Sequence, residues 1–297
     1  IHITPKSRSL YIRLLLFRLT PIMRKFALTS LFASLTLCGC AEQQAEHYIE
    51  QLSDPRSQVR LDASYALVQL GAPAVEPLIS DVTGNTDSLQ YIAAQILGQI
   101  GDHRANPFLK DLIRDDNRYV REQAVRALGQ LDDSRINPTL EEILALEQVP
   151  EVRCAAAWSL GNLRDTTAVP ALIRALDDSV TSVRQQALAA MQFLWTPAAE
   201  TATITALRGG DGNVRYIAAQ LLGHHRTNLA LSELFLALKD KNIWVRAESA
   251  RALGRIGDST AIAPLERLFS TREGPDHEAA KEALQLLTGI NYAVAPE

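Results

Sequence analysis

The chain has 297 residues, with 30 Lys and Arg against 34 Asp and Glu, a formal net charge of −4 and three cysteines. Cysteines placed as Cys38, Cys40 and Cys154 cannot build a disulfide-stapled scaffold. The acidic surplus repels phosphate backbones, so nucleic acid is not an expected partner.

Residues 1–22 are basic, acid-free and patternless, and read as an upstream extension of the reading frame. A long n-region of a signal peptide is the competing reading. From Met23 the layout is that of a secretory signal: Arg24 and Lys25, then the uncharged, mostly apolar run 26–37, too short to span a bilayer, then small residues. The run ends in Leu37-Cys38-Gly39-Cys40. A metal site would need further Cys or His nearby, and a redox pair normally has two residues between its thiols; neither condition is met. These four residues resemble instead the lipobox of bacterial lipoproteins, in which Leu stands three places before the acylated Cys and a small residue just before it. Cys40 fits that pattern, preceded by Gly39, whereas Cys38 would follow the bulky Leu37. The resemblance implies a signal peptide over 23–39, a lipid-bearing Cys40 and a short anchor linker over 40–44. Ala41 in the next position goes, in Gram-negative lipoproteins, with sorting to the outer membrane, facing the periplasm. An ordinary signal peptide cut nearby would leave Cys40 free. Without residues 1–39 the chain keeps 24 basic against 34 acidic residues, a charge of about −10.

From there on the chain repeats. Segments opening on Val-Arg or a similar pair recur at 59 (VRLDASYALVQLG), 89, 120, 152 (VRCAAAWSLGNLRD), 183, 214 and 245 (VRAESARALGRIGD), and a degenerate copy starts at 276. Apolar residues at the Val position and 4, 7, 8 and 11 places later form one face of a helix, and small residues dominate the places 4 and 7. A second apolar segment follows, such as AVPALIRAL from Ala168 to Leu176, with Thr166 and Thr167 as capping candidates and Pro170 in the first turn. Pro77, Pro107 and Pro138 take the same place in their repeats. Asp54, Asp115, Asp178 and Asp240 stand five places before the next Val, placed to cap the following helix. Each unit is therefore a helical hairpin that cannot bury its apolar face alone. The prediction is all-α: an α-solenoid of about eight stacked hairpins over residues 45–289, with 290–297 as a tail.

The units, with their A-V-P-A-L-I…L…D…V-R…A…A-L-G-x-L-G-D pattern, resemble the short HEAT-like repeats of phycobilin lyases. The resemblance fixes a fold and says little about activity. In repeats of this type the Arg after each Val (Arg60, Arg121, Arg153, Arg184, Arg215, Arg246) is expected to pair with an acid of a neighbouring turn. Away from the apolar stripe, places −1, +2, +3, +6 and +10 cluster on the face that lines a solenoid's concave side. There fall Tyr65, Tyr91, Tyr119, Arg126, Trp158, Phe193, Tyr216, Gln220, Trp244 and Arg251. Aromatics and Arg most often anchor interfaces, so this face is expected to bind a protein or peptide partner; the alternative is that these rings pack between neighbouring helices. The fifth and sixth units break the pattern at Gln192-Phe193-Leu194-Trp195-Thr196 and Gly223-His224-His225-Arg226. Such a break marks either a functional patch or a stacking defect.

A membrane-anchored, non-catalytic scaffold is the first reading, with no cofactor or metal called for and no small-molecule substrate evident. The alternative is an enzyme or enzyme subunit of the bilin lyase or deoxyhypusine hydroxylase type, the latter with a di-iron centre on repeated His-Glu pairs. One such pair is present, His277-Glu278, and converging ligands are not visible around it. Cys154 lies near Trp158 on the predicted face with no His at a readable spacing, so no activated thiol is expected. Gly98, Gly129, Gly161, Gly223 and Gly254 are expected at tight interhelix contacts rather than in a phosphate loop.

Overall fold

The computed structural model describes residues 41–84, 86–270 and 273–292, and these contain sixteen α-helices and no strand. The predicted extension 1–22, the signal 23–39, Cys40 and the end of the tail lie outside the described residues. Paired in chain order, the helices make eight hairpins. Hairpins 1 and 2 are α1 (41–51) with α2 (Ser57–Leu70) and α3 (Ala72–Val82) with α4 (Asp87–Ile100). Hairpins 3 to 5 are α5 (Asn106–Leu112) with α6 (Arg118–Gln130), α7 (Asn137–Leu146) with α8 (Pro150–Asn162), and α9 (Val169–Ala175) with α10 (Thr181–Ala190). Hairpins 6 to 8 are α11 (Pro197–Ala206) with α12 (Gly212–His224), α13 (Leu231–Ala237) with α14 (Ile243–Ile256), and α15 (Ile262–Phe269) with α16 (Pro275–Thr288). The even-numbered helices carry the Val-Arg pairs, with Leu89-Gln90 in their place in α4 and the degenerate copy in α16. Helix α1 is already formed over 41–44, the stretch read from sequence as linker. The chain divides into two compact units, one ending at Ala105 and the other starting at Asn106.

In the second unit the Val-Arg helices stack side by side, and their small residues are the reason. Gly161, Gly223 and Gly254 sit where a Cβ would fall 2.8 Å from Ala190 Cβ, 2.6 Å from Ala252 Cα and 2.7 Å from Ala283 Cα. At Gly129 a Cβ would collide with Ser159, whose hydroxyl donates to the Val125 carbonyl at 2.9 Å. The glycines therefore let backbones meet, and the leucines and valines behind them (Val120, Leu128, Leu160, Leu188, Leu222, Leu253) are fully or almost fully buried. Each such side chain contributes about 1.5–3 kcal/mol of transfer free energy.

The turns differ from the sequence expectation in three ways. Asp165, not Thr166 or Thr167, opens the second segment: its carboxylate accepts from the Thr167 N–H at 3.0 Å, and Asp133 and Asp258 do the same for Arg135 and Thr260. A carboxylate two places ahead of the N–H gives a tighter turn than a Thr inside it. Pro77 lies inside α3 rather than in its first turn, because α3 begins at Ala72, directly after Gly71, and Pro73 takes the first-turn place. The acids five places before Val do not cap the helix proper. Asp54, Asp115, Asp178 and Asp240 accept, at 2.7–2.8 Å, from the N–H of the residue that precedes the first helical one. The caps themselves are Asn117, Asp211 and Asn242.

Candidate functional site

The Arg after Val ties hairpins together, and at Arg121, Arg153 and Arg215 the guanidinium does two things. Its Nη1 donates to the carbonyls six and five residues earlier, closing its own hairpin's turn; for Arg153 these are Glu147 and Gln148, at 2.8 and 3.1 Å. Its Nε and Nη2 fork onto a carboxylate in the next hairpin's turn. Arg121 grips Glu147 at 3.2 Å through both nitrogens, Arg153 grips Asp178 at 2.8 and 2.9 Å, and Arg215 grips Asp240 at 2.6 and 2.8 Å. Arg246 reaches Asp276 at 2.7 Å. Burial works against the charge on Asp240, but the Arg215 fork and the Asn242 N–H outweigh it and hold the carboxyl below its ordinary range. Charge-assisted, bidentate and largely buried, these pairs are structural ties rather than an open ligand surface. Glu147, which the sequence reading passed over, fills the acid's place in hairpin 4.

The opposite face carries the aromatic set. In the first unit Tyr65 and Tyr91 are exposed, and Leu61, two places after Val59, is exposed beside them in sequence. In the second unit Tyr119, Phe193 and Trp244 are 55%, 53% and 56% exposed, so they stand in solvent rather than between helices. Trp158 and Tyr216 are half-buried and Gln220 is exposed. Cations accompany the rings: Arg118 lies 4.7 Å from the Tyr119 ring centre and donates to its hydroxyl at 2.8 Å. Arg126 stands 5.9 Å from the Trp158 ring while pairing with Glu122, and Arg164 stands 5.6 Å from Phe193. Arg164 takes a positive φ of 53° at the end of its helix, a slot filled by Gly71, Gly101 and Gly257 in three other hairpins and by Asp132 and Arg226 in two more. Sequence spacing gave no sign of the contact with Phe193. Arg251 is not free for a partner, since Glu248 and Glu282 hold it at 3.5 and 3.2 Å.

The irregular hairpins 5 and 6 resolve into a contact. Helix α10 stops at Ala190 and passes into a single 3-10 turn, Met191–Phe193. Trp195 then stacks on His225 with ring centres 3.8 Å apart and planes 6° apart, and His224 meets His225 edge-on at 5.1 Å. Burial, joined by the neighbouring His224, pushes His225 below its ordinary value, and its Nε2 is buried without a partner among the described residues.

A di-iron centre does not fit this chain's donors. Among the described residues no three His, Cys, Asp or Glu side chains converge. His277 directs Nδ1 to the Phe269 carbonyl at 2.7 Å and stacks on Phe269, while Glu278 pairs with Lys281. At Cys154 burial pushes the thiol up, against a hydrogen bond to Ser182, so it is not an activated nucleophile. No described helix is long and apolar enough to cross a membrane.

A family model of HEAT repeats matches residues 45–121, 106–192 and 200–285. The chain belongs to the HEAT-repeat family. Deoxyhypusine hydroxylase-B of Oryza sativa subsp. japonica is 26% identical over 277 residues, covering 90% of this chain and 88% of that protein. The solved structure of Escherichia coli YibA is 23% identical, with a TM-score of 0.59, over 84% of this HEAT-repeat chain and 95% of its own. The complex of CpcE and CpcF of phycocyanin lyase from Nostoc sp. PCC7120 matches at 23% identity and a TM-score of 0.42, over 82% and 94%.

Proposed function

We propose that this HEAT-repeat chain is a membrane-anchored scaffold that holds a protein or peptide partner on the exposed face of its Val-Arg helices, without chemistry of its own. The observation that carries the reading is the set of large rings left in solvent on that face of the second unit, Tyr119, Phe193 and Trp244. Rings of this size buried by a partner dominate interface energetics, and a nearby guanidinium adds cation–π contact. Lipid on Cys40 would hold the scaffold at the cell envelope, on the periplasmic side of an outer membrane in a Gram-negative cell. The test is crosslinking and mass spectrometry of the full-length protein in its own membranes, beside a Tyr119→Ala, Phe193→Ala, Trp244→Ala variant and a Cys40→Ala variant. A stoichiometric partner is expected with the parent and lost with the aromatic variant at unchanged Tm, and Cys40→Ala should leave the membrane fraction. Iron or a covalent small-molecule adduct in place of a partner would move the hydroxylase or lyase reading to the front.

A further inference from the structure

Within the second unit one tie in the ladder is missing, and its place is a cleft. In the first unit Gly84 stands at the same turn position, and among the described residues Arg60 is hydrogen-bonded only to the Asp54 and Pro55 carbonyls. Gly209 occupies the turn position that Asp54, Asp115, Glu147, Asp178 and Asp240 occupy elsewhere. The following Arg215 donates Nη1 to the Gly209 and Gly210 carbonyls at 2.8 and 3.0 Å, as Arg184 does to those of Asp178 and Ser179. The Gly209 N–H also donates to the Ala206 carbonyl at 3.0 Å, matching Asp178 to Ala175 and Asp240 to Ala237. The backbone turn is thus intact and only the acid is gone.

Arg184, which should fork onto that acid, has no such partner. Its Nη2 is diverted to the Thr181 hydroxyl at 2.7 Å, and its Nε makes no hydrogen bond to any described residue. The nearest carboxylate, Asp211, lies two residues beyond the acid's place, 3.9 Å away. It is spent on the N–H groups of Asn213 and Val214 and on Thr181. With no side chain at Gly209 or Gly210, the groove between α9 and α11 widens to about 720 Å3, against about 470 and 250 Å3 in the grooves on either side. Ile173, Leu176, Ala202 and Ala206 give it apolar walls, and Arg184 lines it. Of the acids at its edge, Asp178 is neutralised by Arg153; Asp177 is exposed at the mouth, where solvent and salt screen it.

We propose that this cleft is a carboxylate-binding site in which Arg184 takes, through Nε and Nη2, the carboxylate of a ligand on a short aliphatic stem. The ligand would sit where the chain's own acid sits in the neighbouring junctions. The site is separate from the aromatic face and does not rest on the scaffold reading. Two sources share the chemistry: an Asp or Glu side chain of a peptide, and a free aliphatic acid.

The test follows the arginine Nε–H signals by nuclear magnetic resonance while the full chain is titrated with glutarate and, separately, with a blocked peptide containing one Glu. Arg153 and Arg215, already forked, serve as internal references. The signal of Arg184 is expected to move and those of the references to stay. Gly209→Asp, which restores the internal acid, should weaken binding about ten- to a hundredfold and raise Tm. Arg184→Ala should abolish binding. A response to the peptide alone assigns the site to polypeptide carboxylates, and a response to both admits free acids. A stationary Arg184 signal with both probes, or binding left undiminished in Gly209→Asp, overturns the proposal.

Discussion

The junctions formed by Arg153 with Asp178 and by Arg215 with Asp240 differ from the one between them first in where the acid stands on the turn. All three have the same Val-Arg helix and the same closed backbone turn, yet the outer two hold a carboxylate at 2.6–2.9 Å and the middle one only approaches Asp211 at 3.9 Å. An acid is present in every case. What decides the tie is its place on the turn, because a displacement of two residues commits Asp211 to capping α12. The row of glycines departs at the same junction, where Gln192 stands in the place of Gly161 and Gly223. Fastening moves to the far end of the hairpin, where Trp195 stacks on His225.

The largest effect should come from Arg215→Ala. It leaves Asp240 buried without its cation and two turn carbonyls without a donor, a loss of about 3–5 kcal/mol by urea unfolding. Arg184→Ala, lacking a carboxylate to strand, should cost only about 1 kcal/mol. Equal losses would break the comparison. Next come Gly161→Ala and Gly223→Ala, each forcing two backbones apart at a site without spare room, for about 1–3 kcal/mol apiece. Matching values would show that both outer junctions share one close-packed contact.

The smallest effect is a pH dependence confined to the irregular junction. His225 binds its proton less readily when folded than at its ordinary 6.5, because burial and His224 disfavour the charge. The unfolded chain therefore takes up more protons, and this stabilising contribution is complete above about pH 6.5 and lost as pH falls through the folded value. His225→Phe keeps a ring against Trp195 and removes the titration. The fall in Tm between about pH 7.5 and about pH 5 should shrink by about 2 °C in that variant, and an unchanged fall would exclude His225 as its source.

Much of this architecture could be read from the chain. Val120, Ala124, Ala127 and Gly129 repeat at helical places in unit after unit, and local periodicity is what sequence displays best. The Arg ladder was legible too, since the Arg recurs after each Val and the acids Asp178 and Asp240 stand 25 residues beyond their partners. Glu147 was missed because a longer side chain replaces Asp and Val149-Pro150 disguises the turn. The Trp195–His225 stack was not legible, because its members lie thirty residues apart in an array whose contacts are read from neighbours. On the candidate face, the exposed rings follow from helical geometry, whereas the approach of Arg164 to Phe193 joins side chains of two different hairpins. The αL position recurs from Gly71 to Gly257, but its periodicity does not say where a side chain standing there reaches.

Among the described residues, each fork from Arg121 to Arg246 reaches one hairpin onward and none reaches two. Tension along the second unit is therefore carried through its junctions in series, and a series yields first at its weakest member. Gly209 and Gln192 concentrate the compliance of six hairpins between α10 and α12, so bending of that unit should be taken up at one joint rather than shared along its length.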